Sequence, residues 1–223
     1  MLNSTACVIM AKQPQVGRTK TRLCPPLTPQ EAADLSEALL LDTIALVSQL
    51  PGIDLALAIT PPTSQAYFAQ VTPLDTRLLP VEGENIGVCL AQAFGVLLDL
   101  GYRKVIALNA DSPSLPAEFI VQAVDLLDQA DLVLGPGEDG GYYLMGMNRL
   151  HTGIFDDIDW STARVLTQTL QRSHALGLSV ALTPYWYDVD TFQELKRVNQ
   201  ELGELPADRL THTRRFLAGI NLG

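Results

Sequence analysis

The feature that most constrains the fold is the segment KVIALNADSPSLP, residues 104–116. It begins with a short apolar run without polar alternation, which is typical of a strand buried on both faces. The run stops at Asn109, and the serines and prolines after Asp111 prevent it from continuing. Asp111 is therefore predicted at the carboxyl end of a central strand, where open α/β sheets bind ligands. An acid there could hold a metal or a substrate hydroxyl, or could only shape the turn or cap the next helix.

Length and composition predict one globular domain. The chain has 223 residues, of which 47% are hydrophobic and 18% charged, and no linker or low-complexity segment divides it. We therefore expect a single domain over residues 1–223. The apolar runs are all shorter than a membrane span, and the amino-terminal residues resemble a first strand more than an export signal, so we expect a cytoplasmic protein. Cys7, Cys24 and Cys89 have no metal-binding spacing, which predicts reduced thiols.

Strand-like and helix-like segments alternate along the chain. Strands are predicted at 6–11, 54–60, 77–81, 104–108, 131–135 and 178–183, and helices at 28–50, 64–70, 87–100, 116–130, 161–176, 191–202 and 206–217. This alternation predicts an α/β fold with a mostly parallel central sheet. The pattern breaks at GGYYLMGM, residues 140–147, because this strand-like segment follows a strand after only a glycine-rich turn. We expect a small antiparallel excursion there.

The chain is acidic, yet its cations are concentrated in one loop. The formal net charge of −10 disfavours nucleic acid and anionic lipid as partners. Four of the 15 Lys and Arg residues fall within eleven residues after the first strand, at Lys12, Arg18, Lys20 and Arg22. Together with Gly17, which permits close approach of the main chain, they predict a phosphate-binding loop. A solvated basic patch is the alternative.

Two further acids could complete a metal site with Asp111. Asp188 and Asp190, in WYDVDTF, follow the last predicted strand and precede a long helix, so they could reach the same edge of the sheet. Phosphate-bound Mg²⁺ takes one or two protein carboxylates and completes its shell with phosphate oxygens and water. Asp111 and Asp190 would meet this need. Asp190 could instead only cap the helix, and the choice between Asp188 and Asp190 stays open.

Common nucleotide fingerprints do not explain the glycine-rich turn. Gly135, Gly137 and Gly140 match G-x-G-x-x-G, but strand formers follow them, whereas a dinucleotide fingerprint requires a helix at that point. The turn around Asp139 could let the backbone pass close to a ligand or could simply reverse the chain. No Walker A frame fits the loop at Gly17, and the three histidines share no triad or zinc-binding context, so we assign them no role.

Five segments, taken in order, resemble one family. They are AKxPxxGxxKTRL at 11–23, DSP at 111–113, DGGYYL at 139–144, FxxIxWST at 155–162 and DVDT at 188–191. Together they resemble the radical-SAM/selenodomain-associated transferases, a glycosyltransferase-like group in the nucleotide-diphospho-sugar transferase (GT-A) superfamily. The KTRL and DVDT segments are also distantly similar to 2-phospho-lactate guanylyltransferases and molybdenum-cofactor nucleotidyltransferases.

The resemblance implies a single-domain GT-A fold, which is a Rossmann-like three-layer sandwich. It also implies a nucleoside triphosphate or nucleotide-sugar donor, a small-molecule acceptor, and Mg²⁺ or Mn²⁺. The implied catalytic residues are Lys20, Arg22 and Asp111, with Asp111 and Asp190 as metal ligands. Among substrate-binding residues, the resemblance implies Lys12 as a phosphate contact and Asp139, Gly140 and Gly141 on the acceptor side, with Trp160, Ser161 and Thr162 closing over the acceptor. The basic loop adds Gly17 and Arg18 to the predicted substrate-binding residues.

Three positions depart from the family pattern. Asn109 stands where glycine is usual, Ser112 where cysteine is usual, and Cys89 where an arginine often lies. The missing cation at Cys89 leaves the identity of the acceptor open. Two other classes of protein remain as alternatives: a nucleotide-binding regulatory module without turnover, and a dinucleotide-dependent oxidoreductase on a related sheet. Ser161 could also simply cap the helix that follows it.

Overall fold

Seven strands form one sheet in the computed structural model, which describes residues 3–220. The strands are β1 (Thr5–Lys12), β2 (Ile53–Thr60), β3 (Arg77–Pro80), β4 (Lys104–Leu108), β5 (Leu132–Pro136), β6 (Tyr142–Met147) and β7 (Val180–Leu182). Their order across the sheet is β3-β2-β1-β4-β6-β5-β7. Neighbouring strands are parallel except where β6 pairs with β4 and β5. The predicted parallel sheet with a small antiparallel excursion is confirmed, and a strand, not a helix, follows the glycine turn.

Seven α-helices connect and cover these strands. They are α1 (Pro29–Ser48), α2 (Gln65–Val71), α3 (Ile86–Asp99), α4 (Ala117–Leu126), α5 (Val165–Ala175), α6 (Phe192–Glu201) and α7 (Thr211–Ala218). The capping box predicted from Thr28 and Glu31 is present at the start of α1, with Pro29 in the first turn. No helix within residues 3–220 has the length and apolar character needed to cross a bilayer.

Three predicted helices are shorter than expected. Helix α4 ends at Leu126 and not at 130. Helix α5 begins four residues later than predicted, because Ser161 has a left-handed φ of 64° and Thr162 donates its hydroxyl to the carbonyl oxygen of Asp159 at 2.8 Å. Helix α7 begins at Thr211 and not at 206. The Asp42 carboxylate on α1 accepts the backbone N–H groups of His212 and Thr213 in its first turn, a contact that the local sequence does not reveal.

Both faces of the sheet are buried. Along β1, Ala6 and Val8 face one apolar cluster, covered mainly by α3 and α5, whereas Cys7 and Ile9 face another, covered by α1, α2 and α4. This gives the predicted three layers. The cysteines agree with the expectation of reduced thiols, because buried Cys7 and Cys89 and half-buried Cys24 are all free.

A third apolar cluster positions the segment that carries Asp188 and Asp190. Leu23 and Leu27 from the basic loop pack there with α1, α6 and α7, and Tyr187 and Val189 belong to the same cluster. Asp188 lies between these two anchors. The strand order changes direction at β1, since β2 lies on one side of it and β4 on the other. In open α/β sheets, a crevice forms at the carboxyl ends of the strands at such a switch point, here between β1 and β4.

Candidate functional site

A cavity of about 670 Å³ opens at the carboxyl ends of β1 and β4. Most of the residues proposed from the sequence line it together, although they come from segments far apart in the chain. They are Lys12, Arg18, Lys20 and Arg22 from the basic loop, Asp111, Asp139, Gly141, Asp188 and Asp190 from three strand ends, and Trp160, Ser161 and Thr162. Opposite charges therefore share one cavity, as the sequence predicted.

Two proposed glycines do not line the cavity. Gly17 adopts a φ of +74° in the turn of the basic loop, and an added Cβ would meet no atom within 4 Å. Gly140 adopts a φ of +88° and lies against the backbone of Ala163, where a Cβ would come within 2.3 Å of the carbonyl oxygen. Both glycines shape the chain around the cavity, and the second holds the glycine turn against the segment before α5.

Lys20 lies between the two acids proposed as metal ligands. Its Nζ is 2.7 Å from Oδ1 of Asp190 and 3.0 Å from Oδ2 of Asp111. The Lys20 side chain is only 6% exposed, while the two carboxylates are more than one-third exposed toward the cavity. Arg22 approaches Asp190 more loosely, at 3.9 Å, and its side chain is 76% exposed.

Burial and charge act against each other on Lys20. Burial alone would lower the pKa of its ammonium, but the charges of Asp111 and Asp190 outweigh this effect and raise the pKa overall. The ammonium therefore stays protonated at neutral pH. The backbone of Lys20 has φ 50° and ψ 39°, a left-handed conformation immediately before the short 3₁₀ turn Thr21–Leu23.

Asp111 and Asp190 are held in place by main-chain contacts. The N–H of Val189 donates to the carbonyl oxygen of Asp111 at 2.8 Å and so ties the segment after β7 to the segment after β4. Thr191, not Asp190, is the N-cap of α6, and the Glu194 carboxylate accepts the N–H groups of both residues at 2.6 and 2.8 Å. The Asp190 side chain is thus available to the cavity, and the interpretation of Asp190 as a mere helix cap is wrong.

Asp188 is held by hydrogen bonds from two side chains. Its Oδ1 accepts hydrogen bonds from Asn109 Nδ2 and Ser112 Oγ, both at 2.6 Å. Burial raises the pKa of Asp188 to about 6; the Ser112 hydrogen bond opposes this shift, and the nearby charge of Asp111 adds to it. Two of the positions that depart from the family pattern therefore hold this carboxylate.

The far wall of the cavity is built by a tightly packed segment before α5. The Trp160 ring covers Gly87 at the start of α3, where an added Cβ would lie 2.2 Å from the ring. Next to this segment, Asp139 Oδ1 accepts the N–H of Gly141 at 2.9 Å and closes the glycine turn. Trp160 and the glycine turn thus define the side that the resemblance assigned to the acceptor.

The donor set suits a hard divalent cation. Asp111 and Asp190 both contact one positively charged atom, so their oxygens already converge on a single point, and carboxylate oxygens are preferred ligands of Mg²⁺ and Mn²⁺. Within residues 3–220, no group of three His, Cys, Asp or Glu side chains forms a metal cage of protein ligands alone. Two carboxylates completed by substrate phosphate remain compatible with this geometry.

The apolar part of the cavity was not predicted from the sequence. Met10 at the end of β1, Ile86 and Leu90 one turn apart on α3, and Tyr142 at the start of β6 also line it. The signal was available for Met10 and Tyr142, because each lies at the cavity end of a predicted strand. Ile86 and Leu90 could not be distinguished from ordinary core residues, since their spacing is that of any buried helix face.

The fold matches that of solved structures in the nucleotide-diphospho-sugar transferase class of α/β proteins. Residues 43–162 match the family described as "Uncharacterized protein conserved in bacteria (DUF2064)", and the chain belongs to this family. A solved structure from Desulfovibrio desulfuricans, provisionally assigned as a nucleotide-diphospho-sugar transferase, superposes with a TM-score of 0.89 and 25% identity, covering 98% of this chain and 95% of that one. The GT-A-type fold predicted from the resemblance is confirmed.

Two further proteins are similar to this chain, one in sequence and one in fold alone. The chain is 25% identical over 203 residues to a 2-phospho-L-lactate guanylyltransferase of Methanothermobacter thermautotrophicus, covering 89% of this chain and 83% of the relative. The 4-diphosphocytidyl-2C-methyl-D-erythritol synthase of Anaerococcus prevotii shares the fold with a TM-score of 0.61 and 11% identity, over 89% of this chain and 96% of that one. The likeness to guanylyltransferases predicted from two short segments thus extends over most of the chain.

Proposed function

We propose that this protein is a transferase whose donor, a nucleoside triphosphate or a nucleotide-sugar, binds in the cavity at the carboxyl ends of β1 and β4. The observation that carries the proposal is the Lys20 ammonium held between Asp111 and Asp190 in a cavity lined by three other cations. In a chain of net charge −10, such a concentration of positive groups beside acids suits a phosphate chain and its counter-ion.

The basic loop would bind the phosphates of the donor. Lys12, Arg18 and Arg22 line the cavity, and none of them has a hydrogen bond to another side chain among the described residues. Arginine can donate two parallel hydrogen bonds to one phosphate group, and lysine supplies a compact charge. These three side chains would hold the donor, while Lys20 would stabilise charge near the reacting phosphorus or sugar.

Asp111 and Asp190 would hold the divalent ion, Mg²⁺ or Mn²⁺. When bound, such an ion neutralises phosphate charge and polarises the bond to the leaving group. Asp188 would position the ends of both segments through its hydrogen bonds with Asn109 and Ser112. Trp160 and the turn at Asp139 would enclose a small acceptor and limit the access of water to the reaction.

Nucleotidyl transfer is the first candidate reaction, supported by the guanylyltransferase relative that aligns over 89% of the chain. An oxygen of the acceptor would attack the α-phosphorus of the triphosphate, and the bond to the β-phosphate oxygen would break, releasing pyrophosphate. Lys20 and Arg22 would stabilise the charge that develops on the phosphoryl oxygens and on the leaving group. This route requires no protein nucleophile.

Glycosyl transfer is the second candidate, supported by the structure from Desulfovibrio desulfuricans, which covers 98% of this chain. The same positive groups would then stabilise a departing nucleoside diphosphate while an acceptor oxygen attacks the sugar. Three further predictions from the sequence accompany this proposal. They are an association with radical-SAM proteins, a cytoplasmic location and a single domain over residues 1–223.

The products distinguish these reactions. The protein is incubated with each nucleoside triphosphate or nucleotide-sugar, Mg²⁺ or Mn²⁺, and a set of phosphate-bearing and hydroxyl-bearing acceptors. Pyrophosphate release indicates nucleotidyl transfer, and nucleoside diphosphate release indicates glycosyl transfer. Nucleotide binding without either product would favour a regulatory module, and tight metal-independent binding of a nicotinamide dinucleotide would favour an oxidoreductase.

A further inference from the structure

The lysine at the centre of the site occupies the point where a metal would bind. Lys20 is the least exposed cation of the basic loop: its side chain is 6% exposed, against 76% for Arg22. Its Nζ lies within 3.0 Å of one oxygen from each proposed ligand, Asp111 and Asp190. The ammonium and a divalent ion would therefore require the same two oxygens.

We propose that Lys20 is a built-in competitor of the divalent ion. In the free protein its ammonium neutralises Asp111 and Asp190, and a metal binds them only when Lys20 leaves. This inference rests on the proposed function, because that function supplies the metal. Two like charges cannot share the short distances of 2.7 and 3.0 Å without repulsion, so occupation by one excludes the other.

A donor phosphate in the cavity would offer the Lys20 ammonium a second partner. Lys20 lies at the junction between the turn at 15–19 and the 3₁₀ turn Thr21–Leu23, and it lines the same cavity as Arg18 and Arg22. Donor phosphate in that cavity would accept the displaced ammonium. The donor phosphate would draw the ammonium away from the carboxylates, which makes metal binding easier, and the metal would release the ammonium to the phosphate. Metal and donor would therefore strengthen each other's binding, and such coupling is reciprocal.

This arrangement differs from an ordinary structural ion pair in its effect on metal affinity. If Lys20 only stabilised the fold, replacing it would lower stability and leave Mn²⁺ binding unchanged or weaker. If Lys20 competes with the metal, replacing it frees the carboxylates and strengthens Mn²⁺ binding. Lys20→Met keeps much of the side-chain volume and removes the charge, and Lys12→Met removes one charge from the same cavity without touching either carboxylate.

The test is a titration of Mn²⁺ alone, with free Mn²⁺ followed by electron paramagnetic resonance and no nucleotide present. We expect Lys20→Met to bind Mn²⁺ about tenfold more tightly than the parent, within the usual range for coupled sites, and Lys12→Met to differ from the parent by less than about twofold. Equal or weaker binding by Lys20→Met, or the same gain in both variants, would overturn the competition.

The unmodified protein provides a second test that needs no variant. An amine-reactive reagent followed by peptide mass spectrometry measures the labelling of Lys20 relative to Lys196, which is on α6 outside the cavity. Labelling of Lys20 should rise several-fold when Mn²⁺ saturates the site, because the ammonium leaves its carboxylate partners. Unchanged relative labelling at saturating Mn²⁺ would contradict the proposal.

These measurements are independent of the transferase assays. If the protein forms no product and binds no nucleotide, the proposed function fails, while a tighter Mn²⁺ affinity of Lys20→Met would still support competition. If product forms and Lys20→Met binds Mn²⁺ no better than the parent, the transferase proposal stands and the competition fails.

Discussion

The backbone N–H of Val189 donates a 2.8 Å hydrogen bond to the carbonyl oxygen of Asp111, joining the segment after β4 to the segment after β7. Asp188 and Asp190 flank Val189, and the buried Val189 side chain anchors them to the core formed with α1 and α6. The positions of the acids therefore follow from a main-chain contact and from packing, not from the acids themselves. Charge repulsion among the acids is opposed by Lys20 and by the Asn109 and Ser112 hydrogen bonds.

Lys20→Met should lower kcat/KM for the transferase reaction by about 10²-fold or more, because removing one donor that stabilises transition-state charge typically costs this much. Steady-state kinetics with the donor identified from the product assay measures the effect. Lys196→Met is the matched control, since it removes a lysine on α6 outside the cavity and should retain parental kinetics. Comparable losses in both variants would show that the effect is not specific to the site.

Asp188→Asn should make the free energy of unfolding less dependent on pH. The folded-state pKa of Asp188 is raised from 3.8 to about 6, so its stabilising contribution is complete below pH 4 and is lost as the pH rises through 6. Relative to the parent, Asp188→Asn should therefore gain stability between pH 4 and 7, by up to roughly 3 kcal/mol. Urea unfolding at several pH values, with a chelator present, measures this change. A constant difference between the two proteins across this range would contradict the assignment.

Gly87→Ala should displace Trp160 and weaken donor or acceptor binding. The added Cβ would lie 2.2 Å from the Trp160 ring, so the ring must move from the cavity wall. Gly95→Ala, on the same helix, places its Cβ 3.6 Å from Leu150 and should instead stabilise the protein by about 0.4–1 kcal/mol. Tryptophan fluorescence, ligand titration and thermal unfolding compare the two variants. The prediction fails if Gly87→Ala binds ligand as the parent does.

Gly140→Ala should destabilise the protein more than Gly17→Ala. Both residues have left-handed φ values, so each substitution should cost about 1 kcal/mol of backbone strain. Only Gly140 also meets a neighbour, the Ala163 carbonyl oxygen at 2.3 Å, and overpacking of this kind adds about 1–3 kcal/mol. Chemical denaturation gives the two values; equal costs would show that the contact between the glycine turn and Ala163 is unimportant.

Much of the sheet could be predicted from local sequence. The apolar run before Asn109 defined β4, because no alternation is needed in a strand covered on both faces. The glycine turn before Tyr142 defined the antiparallel β6, because too few residues separate it from β5 for a parallel crossover. The start of α7 could not be predicted, since its first turn is capped by Asp42, a residue on α1.

The sequence also predicted which charged residues would share the site, but it did not predict the ion pairs among them. The position of each charged residue at a strand end predicted that basic and acidic groups would share one edge of the sheet. The placement of Lys20 between Asp111 and Asp190 depends on its left-handed backbone and on contacts between segments 170 residues apart. Ser161 was open to interpretation as a helix cap, but α5 begins at Val165 and Ser161 faces the cavity.

Thermal unfolding of the parent and of Asp111→Asn, with each nucleotide and nucleotide-sugar and with and without Mn²⁺, tests whether Asp111 binds a metal together with the donor. A ligand at 100 times its Kd adds about 2.7 kcal/mol, which corresponds to a Tm increase of about 5–11 °C for a domain of this size. We expect such a Tm increase for the parent with donor and Mn²⁺, and loss of the Mn²⁺-dependent part in Asp111→Asn. An Asp111→Asn variant that responds to donor and Mn²⁺ as the parent does would contradict the role of Asp111 as a metal ligand.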